Sequence, residues 1–316
     1  MKISHDKCRE FAEAIKELDI PYDDFASPKY YPPKGEPEEK VARYFLFMTA
    51  IDHRTSRPNN PYQITVGGEK LKGASLLYFL GARKYEEDPD FFSPYRMARI
   101  TLEDFSEWLN VKDASIPDPG LRVFLLRDAA RKLLLLYRGQ AMELIKSAYG
   151  RLYAPQGEPW REGIIEKLKV FRAYEDPVEK KPFLLCKFLE RRGILKIADK
   201  ENARVPVDNH LTRIAVRLEL VDFPEYFKPL FKWERKASKE EDVIIRLYIR
   251  EAYSYVCRLS SMDPFVLDDF LWNHGRTVCL PENPACEKCP LRKLCKGLIS
   301  DEVRSLKEHY YSTWYY

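Results

Sequence analysis

Four cysteines near the C-terminus constrain this chain more than any other feature of its sequence. In CLPENPACEKCPLRKLC, Cys279, Cys286, Cys289 and Cys295 stand at C-x6-C-x2-C-x5-C spacing. A chain with seven cysteines, an odd number, and four of them crowded into one loop points to a metal centre rather than to disulfides. A [4Fe–4S] cube takes one thiolate at each iron, which suits a single compact, asymmetric loop. Structural zinc more often uses two short cysteine pairs across a longer spacer, and only one C-x2-C is present. The spacing favours the cube, with zinc as the alternative. Cys8, Cys186 and Cys257 sit singly in helical patterns and read as small core residues.

Length bounds the rest. The 316 residues allow one large domain or two modest ones. Apolar residues make up 45% and charged residues 32%, enough for a sizeable core under a charged surface. There is no apolar run of about 18 residues and no signal-peptide core at the N-terminus, so the expectation is a protein without a membrane span, placed inside the cell. The net charge is +4, with 53 basic against 49 acidic residues. That is compatible with a polyanionic partner without requiring one.

Apolar residues recur at three- and four-residue steps over 7–19, 38–51, 94–110, 119–149, 160–173, 182–192, 208–221, 241–259 and 264–273. Strand signal is confined to 62–68, which reads as a turn or short hairpin. Breakers fall at 20–38, 52–61, 153–159 and 198–206. The predicted class is mostly α. The aromatic tail HYYSTWYY (309–316) reads as rings packed back on the body.

A second signal lies about seventy residues upstream of the cysteines, in VPVDNHLTRIAVRLEL (205–220). Leu211, Ile214, Ala215 and Leu218 form one apolar helix face, and Asp208 falls at the N-cap, where a carboxylate accepts backbone N–H bonds. Arg213 and Arg217 read as solvated or ion-paired. This stretch is similar to the V-D-T-H-x-x-R-V segment of the helix-hairpin-helix DNA glycosylase superfamily. The cysteine loop, with DDFLWNHGRTVC (268–279) ahead of it, resembles the endonuclease III-type [4Fe–4S] loop of the same superfamily. The resemblance implies a two-lobed helical fold, with 1–50 plus 205–316 as the cluster-bearing lobe and 51–204 as the central lobe. It implies Asp208 as the catalytic carboxylate and His210 as its support. In that family the loop between the first two cysteines is basic, but LPENPA (280–285) has no Lys or Arg. Phosphate contact would pass to Lys288, Arg292, Lys293 or Lys296, or to residues elsewhere.

The superfamily's hairpin, L-P-G-V-G-x-x-T-A, has a degenerate counterpart in YEDPVEKKPFLLCKFLERRGI (174–194), without either glycine. Laid on it, Lys181 falls at the position of the Schiff-base lysine of bifunctional members, with Lys180 beside it. The competing reading makes Asp176 and Pro177 an ordinary helix start. Asp52, His53, Arg54 and Arg57 form a polar cluster after an apolar helix, and Asp52, His53 and Arg54 are the candidates for substrate contact. The implied function is base flipping from damaged double-stranded DNA and N-glycosidic cleavage by a monomer of the cytoplasm and nucleoid, with AP lyase activity if Lys181 is active. Two alternatives stand beside it. The stretch 49–94 and the segment 114–150 faintly resemble queuosine-salvage nucleotide N-glycosidases, and the lost hairpin glycines suit a catalytically inactive DNA-binding relative.

Overall fold

The computed structural model describes residues 1–57 and 60–316; positions 58 and 59 of the expected 52–61 loop lie outside them. The chain forms two compact units, one of Met1–Tyr22 with Ala203–Thr313, the other of Asp23–Asn202 with Trp314–Tyr316. The first unit opens with β1 (Lys2–Ile3) and α1 (His5–Lys16). The second contains α2 (Glu38–Ala50), the hairpin β2 (Gln63–Val66) and β3 (Glu69–Lys72), α3 (Ala74–Glu87), α4 (Pro94–Met97), α5 (Leu102–Leu109), α6 (Pro119–Tyr137), α7 (Ala141–Lys146), α8 (Ile164–Leu168) and α9 (Lys180–Arg191). The first unit is completed by α10 (Asn209–Arg217), β4 (Val221–Asp222), α11 (Lys228–Phe231), α12 (Lys239–Ser260), α13 (Pro264–Thr277) and α14 (Asp301–Ser305). The protein is mostly α.

In the first unit α1 packs on α12, and α10 packs on α13 and α12. Phe11, Leu211, Ile214, Ile245, Ile249 and Tyr253 are buried at its centre. Burial of each such side chain stabilises by roughly 1.5–3 kcal/mol. The Tyr253 hydroxyl donates to the Leu211 carbonyl at 2.8 Å, so a core aromatic also fixes the height of α10. A capping box sets the start of α12, with the Ser238 hydroxyl accepting from Glu241 N and the Glu241 carboxylate from Ser238 N. Gly275 on α13 is required by close approach: a Cβ there would lie 2.5 Å from the Cβ of His210.

The second unit is built around α2, which is buried from Val41 almost without interruption and packs on α3, α6, α7 and α9. Phe45 stacks on Phe188 of α9, ring centroids 4.8 Å apart. Trp314–Tyr316 and residues 23–50 group differently from the expected division, and this burial accounts for the second. Residues 23–50 go with the central unit instead of the cysteine-bearing one, because an α2 apolar on nearly every side needs helices all around it.

Three predicted helices are broken in the structure. The 119–149 pattern divides at Arg138 and Gly139, both at positive φ, with Gly139 N donating to the Leu133 carbonyl. That is a left-handed helix stop, for which glycine is the favoured residue. The 94–110 pattern divides at Thr101, which starts α5 with its own capping box. Only Ile164–Leu168 of 160–173 is α-helical. Among the described helices none is long and apolar enough to cross a membrane.

Candidate functional site

Asp208 is the N-cap of α10, as its place before the apolar run predicts. One carboxylate oxygen accepts from His210 N at 2.8 Å and Leu211 N at 3.0 Å. Its carboxylate is therefore fixed by backbone at the positive end of a helix, in a largely buried position.

The helix that carries Asp208 also grips the cysteine loop. Arg213, buried, donates through Nε to the Cys279 carbonyl at 2.8 Å and through Nη2 to the Gly275 carbonyl at 2.8 Å, and pairs with Glu308. Its Nη2 also lies 3.1 Å from His210 Nδ1. Burial pushes the Glu308 carboxyl up, but Arg213 overrides it and holds the group below the usual range. One turn on, Arg217 donates to Cys279 Sγ at 3.3 Å, to the Leu280 carbonyl at 2.8 Å, to Leu306 O at 2.8 Å and to Arg304 O at 2.9 Å. Both arginines were expected to be solvated or ion-paired. Arg213 is indeed ion-paired, with Glu308, but neither is solvated: both are buried clamps, and Arg217 has no carboxylate partner among these contacts.

The four cysteines line one small concavity with Arg217, Pro284, Arg292 and Arg304. All four thiols are free and half-buried. Gly297 N donates to Cys295 Sγ at 3.4 Å, and His274 Nε2 lies 3.5 Å from Cys289 Sγ. A Cβ at Gly297 would come within 3.3 Å of Cys295 Sγ and 3.5 Å of Cys286 Sγ. Burial pushes the Cys289 thiol up to about 12, and burial with Arg213 lowers His274 to about 4. Among the described residues, no three His, Cys, Asp or Glu side chains are placed to hold a metal ion. Lys288, Arg292 and Lys293 are exposed on this loop, where a phosphate could reach them.

The remaining candidates assemble in the other unit. Lys181 is completely buried in the first turn of α9. Its Nζ donates to the Ala50 carbonyl at the end of α2, at 2.6 Å, and lies 3.3 Å from His53 Nδ1. Burial first, then Lys180 and Arg122, hold its ammonium well below the usual range. The same burial, with Arg122, Lys181 and Lys180, lowers His53 well below 6.5. Lys180 Nζ stands 3.9 Å from an Asp52 carboxylate oxygen. Arg54 lies over the ring of Tyr316 at 5.9 Å. The sequence reading missed Arg122, a buried side chain of α6 that donates to the carbonyls of Pro117, Ile51 and His53. Arg122 and Lys181 thus both donate to carbonyls at the C-terminal end of α2.

The helix-start reading of 174–181 needs correction. The helix starts at Lys180, and its N-cap is Glu179 in the left-handed region, φ 62°. Asp176 does not cap the helix from the adjoining position; its carboxylate accepts from Val178 N at 3.0 Å and Lys180 N at 2.9 Å. The Val178 and Lys180 amides are thus bonded within the turn.

No protein-family model matches the chain, and no curated protein matches it. Solved structures do. A thermostable thymine-DNA glycosylase is 13% identical over 92% of this chain and 96% of its own, with a TM-score of 0.47. A trapped endonuclease III–DNA covalent intermediate is 12% identical over 92% of both chains, at 0.48. The 8-oxoguanine DNA glycosylase from Pyrobaculum aerophilum, complexed with 8-oxoguanosine, is 14% identical over 96% of both, at 0.42. In each case the similarity spans nearly the whole of both chains at a TM-score below 0.5.

Proposed function

We propose that this chain is a DNA repair N-glycosylase of the helix-hairpin-helix superfamily, with Asp208 as the carboxylate that promotes cleavage of the N-glycosidic bond. One observation carries the reading: a single helix, α10, presents Asp208 at its N-cap and, through Arg213 and Arg217, grips the loop that carries the four cysteines. The two segments that resemble the superfamily in sequence are therefore parts of one local structure. As the base departs, positive charge develops on the deoxyribose. A carboxylate whose position is already fixed by two amides stabilises that charge without having to reorganise, an effect commonly worth a few kcal/mol. His210, held beside Arg213, supports the aspartate. Exposed Lys288, Arg292 and Lys293 supply phosphate contacts, which fix register on a duplex without reading its sequence.

The cysteine loop fits a [4Fe–4S] cluster. Its thiols share one concavity, and Gly297 leaves space beside two of them that a Cβ would narrow. The N–H donors of Arg217 and Gly297 reach two sulfurs. A cube is held at four separate corners, so its ligands surround a cage and need not converge on one ion. When bound, the cluster would supply the charge that ionises buried thiols such as Cys289 and would cross-link the loop.

Lys181 is the amine of an additional AP lyase step in this reading. Burial favours its neutral form, the form that attacks a sugar carbon, and this turn must open to admit a substrate. The test is a panel of duplexes carrying different lesions, incubated with and without alkali. Release of a base from at least one lesion, with strand cleavage after alkali, is the expected result. No release from any lesion, with release from a free modified nucleotide, would assign the chain to nucleotide salvage.

A further inference from the structure

The loop 153–163 has no part in the site described above, yet it is built with unusual care. Two carboxylates hold its base. Glu166 accepts from Ala154 N and Gly163 N, both at 2.8 Å, and buried Asp199 accepts from Leu152 N at 2.7 Å. Ile164 N and Ile165 N donate to the carbonyls of Arg151 and Leu152 at 2.8 and 3.0 Å. The two ends approach so closely that a Cβ on Gly163 would lie 2.3 Å from Leu152 O. Within the loop, Pro155 and Pro159 fix two φ angles, and Glu158 N and Arg161 N close successive turns on Pro155 O and Glu158 O at 3.0 and 2.9 Å. At its tip stands Trp160, 75% exposed. The Tyr153 hydroxyl donates to the carboxylate of Glu179, the N-cap of α9, and so ties the base of the loop to that helix.

An indole left in water forgoes the burial that usually holds a tryptophan in place, and here it is presented on a stiff support. The residues beside Trp160 in the chain, Gln156, Pro159, Arg161 and Glu162, are exposed and mostly polar, so the loop presents its indole among polar side chains rather than as part of an apolar run. A flat π face in polar surroundings suits a flat aromatic ligand that is itself rimmed by polar groups. We propose that Trp160 is a stacking platform for an unpaired nucleobase; Arg161, the next residue, is paired with Glu158 at 2.7 Å, so the ring itself carries the contact. The choice of ligand rests on the nucleic-acid reading above. A rigid platform suits this role because little conformational entropy is lost on contact, and stacking tolerates any base because every base has a π face.

The test uses the intact protein and an undamaged, fluorescein-labelled single strand carrying one 5-iododeoxyuridine, so that binding does not depend on base release. Trp160→Ala is expected to weaken binding about fivefold or more, and Trp160→Phe to restore most of it. The photo-cross-link should map to the peptide containing Trp160. Thymidine monophosphate in place of the strand distinguishes a free nucleotide from a polymer, and a stacking response to either supports a nucleobase ligand. Binding by Trp160→Ala within about twofold of wild type, or a cross-link elsewhere, overturns the inference. So does an oligomer, seen by sedimentation, that Trp160→Ala dissolves, since the ring would then be an interface. If the lesion panel fails while stacking holds, the excision reading is lost and the platform remains. The reverse pattern removes only the platform.

Discussion

Asp208 performs two tasks that mutation can separate. Asp208→Asn keeps an oxygen to accept from His210 N and Leu211 N but removes the charge. It is expected to abolish base release while the melting temperature stays near wild type. Asp208→Ala should lose activity and, in addition, about 1 kcal/mol of stability as the cap disappears. Single-turnover base release and thermal melts check both; turnover of the Asn variant within about threefold of wild type would exclude an electrostatic role. Lys181 makes a prediction in pH. Its ammonium is held well below the usual range, mainly by burial, whereas an unfolded lysine titrates near about 10.4. Between those two values the unfolded chain binds the extra proton, so this group makes stability rise with pH across that window; below the folded value its penalty is full and constant. Lys181→Met removes the linkage. Relative to wild type the variant should lose ground as pH rises toward about 10, by up to about 1.4 kcal/mol per unit. Urea unfolding of both proteins through this range measures it, and a constant difference would mean that Lys181 titrates normally. If Lys181 is the lyase amine, borohydride trapping on abasic DNA should vanish in Lys181→Gln and survive in Lys180→Gln.

Between elements, the critical contact is α10 against α13 and the cysteine loop. Gly275→Ala would place a Cβ 2.5 Å from that of His210, so the helices must separate. The expected cost is about 1–3 kcal/mol of stability, with base release falling as well, because the displaced residue is two positions from Asp208. An unchanged melting temperature would show that the approach is looser than the geometry indicates. Arg217 bridges α10 to Cys279 Sγ and to the backbone carbonyls of Leu280, Arg304 and Leu306. Arg217→Met keeps much of the volume but strands those carbonyls, and each buried group left unpaired costs about 1–3 kcal/mol. Purified Arg217→Met should carry less iron per chain than wild type; equal iron content would show that the loop holds its ligands without this clamp.

For the chain as a whole, the cysteine loop predicts a yellow-brown protein with broad absorption near about 400 nm. Iron and inorganic sulfide should be present in cubane proportion. Because metal binding contributes to folding free energy, Cys289→Ser should lose colour and melt at lower temperature than wild type. A colourless anaerobic preparation with stoichiometric zinc would assign the loop to zinc.

The sequence alone determined the helical class, the cysteine loop, the N-cap position of Asp208 and the grouping of Asp52 and His53 after an apolar helix. Each is a local matter: periodicity shows which face of a helix is apolar, a cap is set within four residues, and thiolate spacing is read within one loop. Long-range packing settled the rest. Arg213 and Arg217 look like any charged residues on α10 until carbonyls and a carboxylate from more than sixty positions downstream reach them. Lys181 looks like an accessible amine until α2 ends against it, and Arg122 like a surface charge until it meets the same helix end. Helices predicted whole over 94–110 and 119–149 are broken by a capping box at Thr101 and a left-handed stop at Arg138–Gly139. A buried cation and a solvated one have the same letter in the sequence; the partner that distinguishes them comes from a distant segment, and only folding brings the two together.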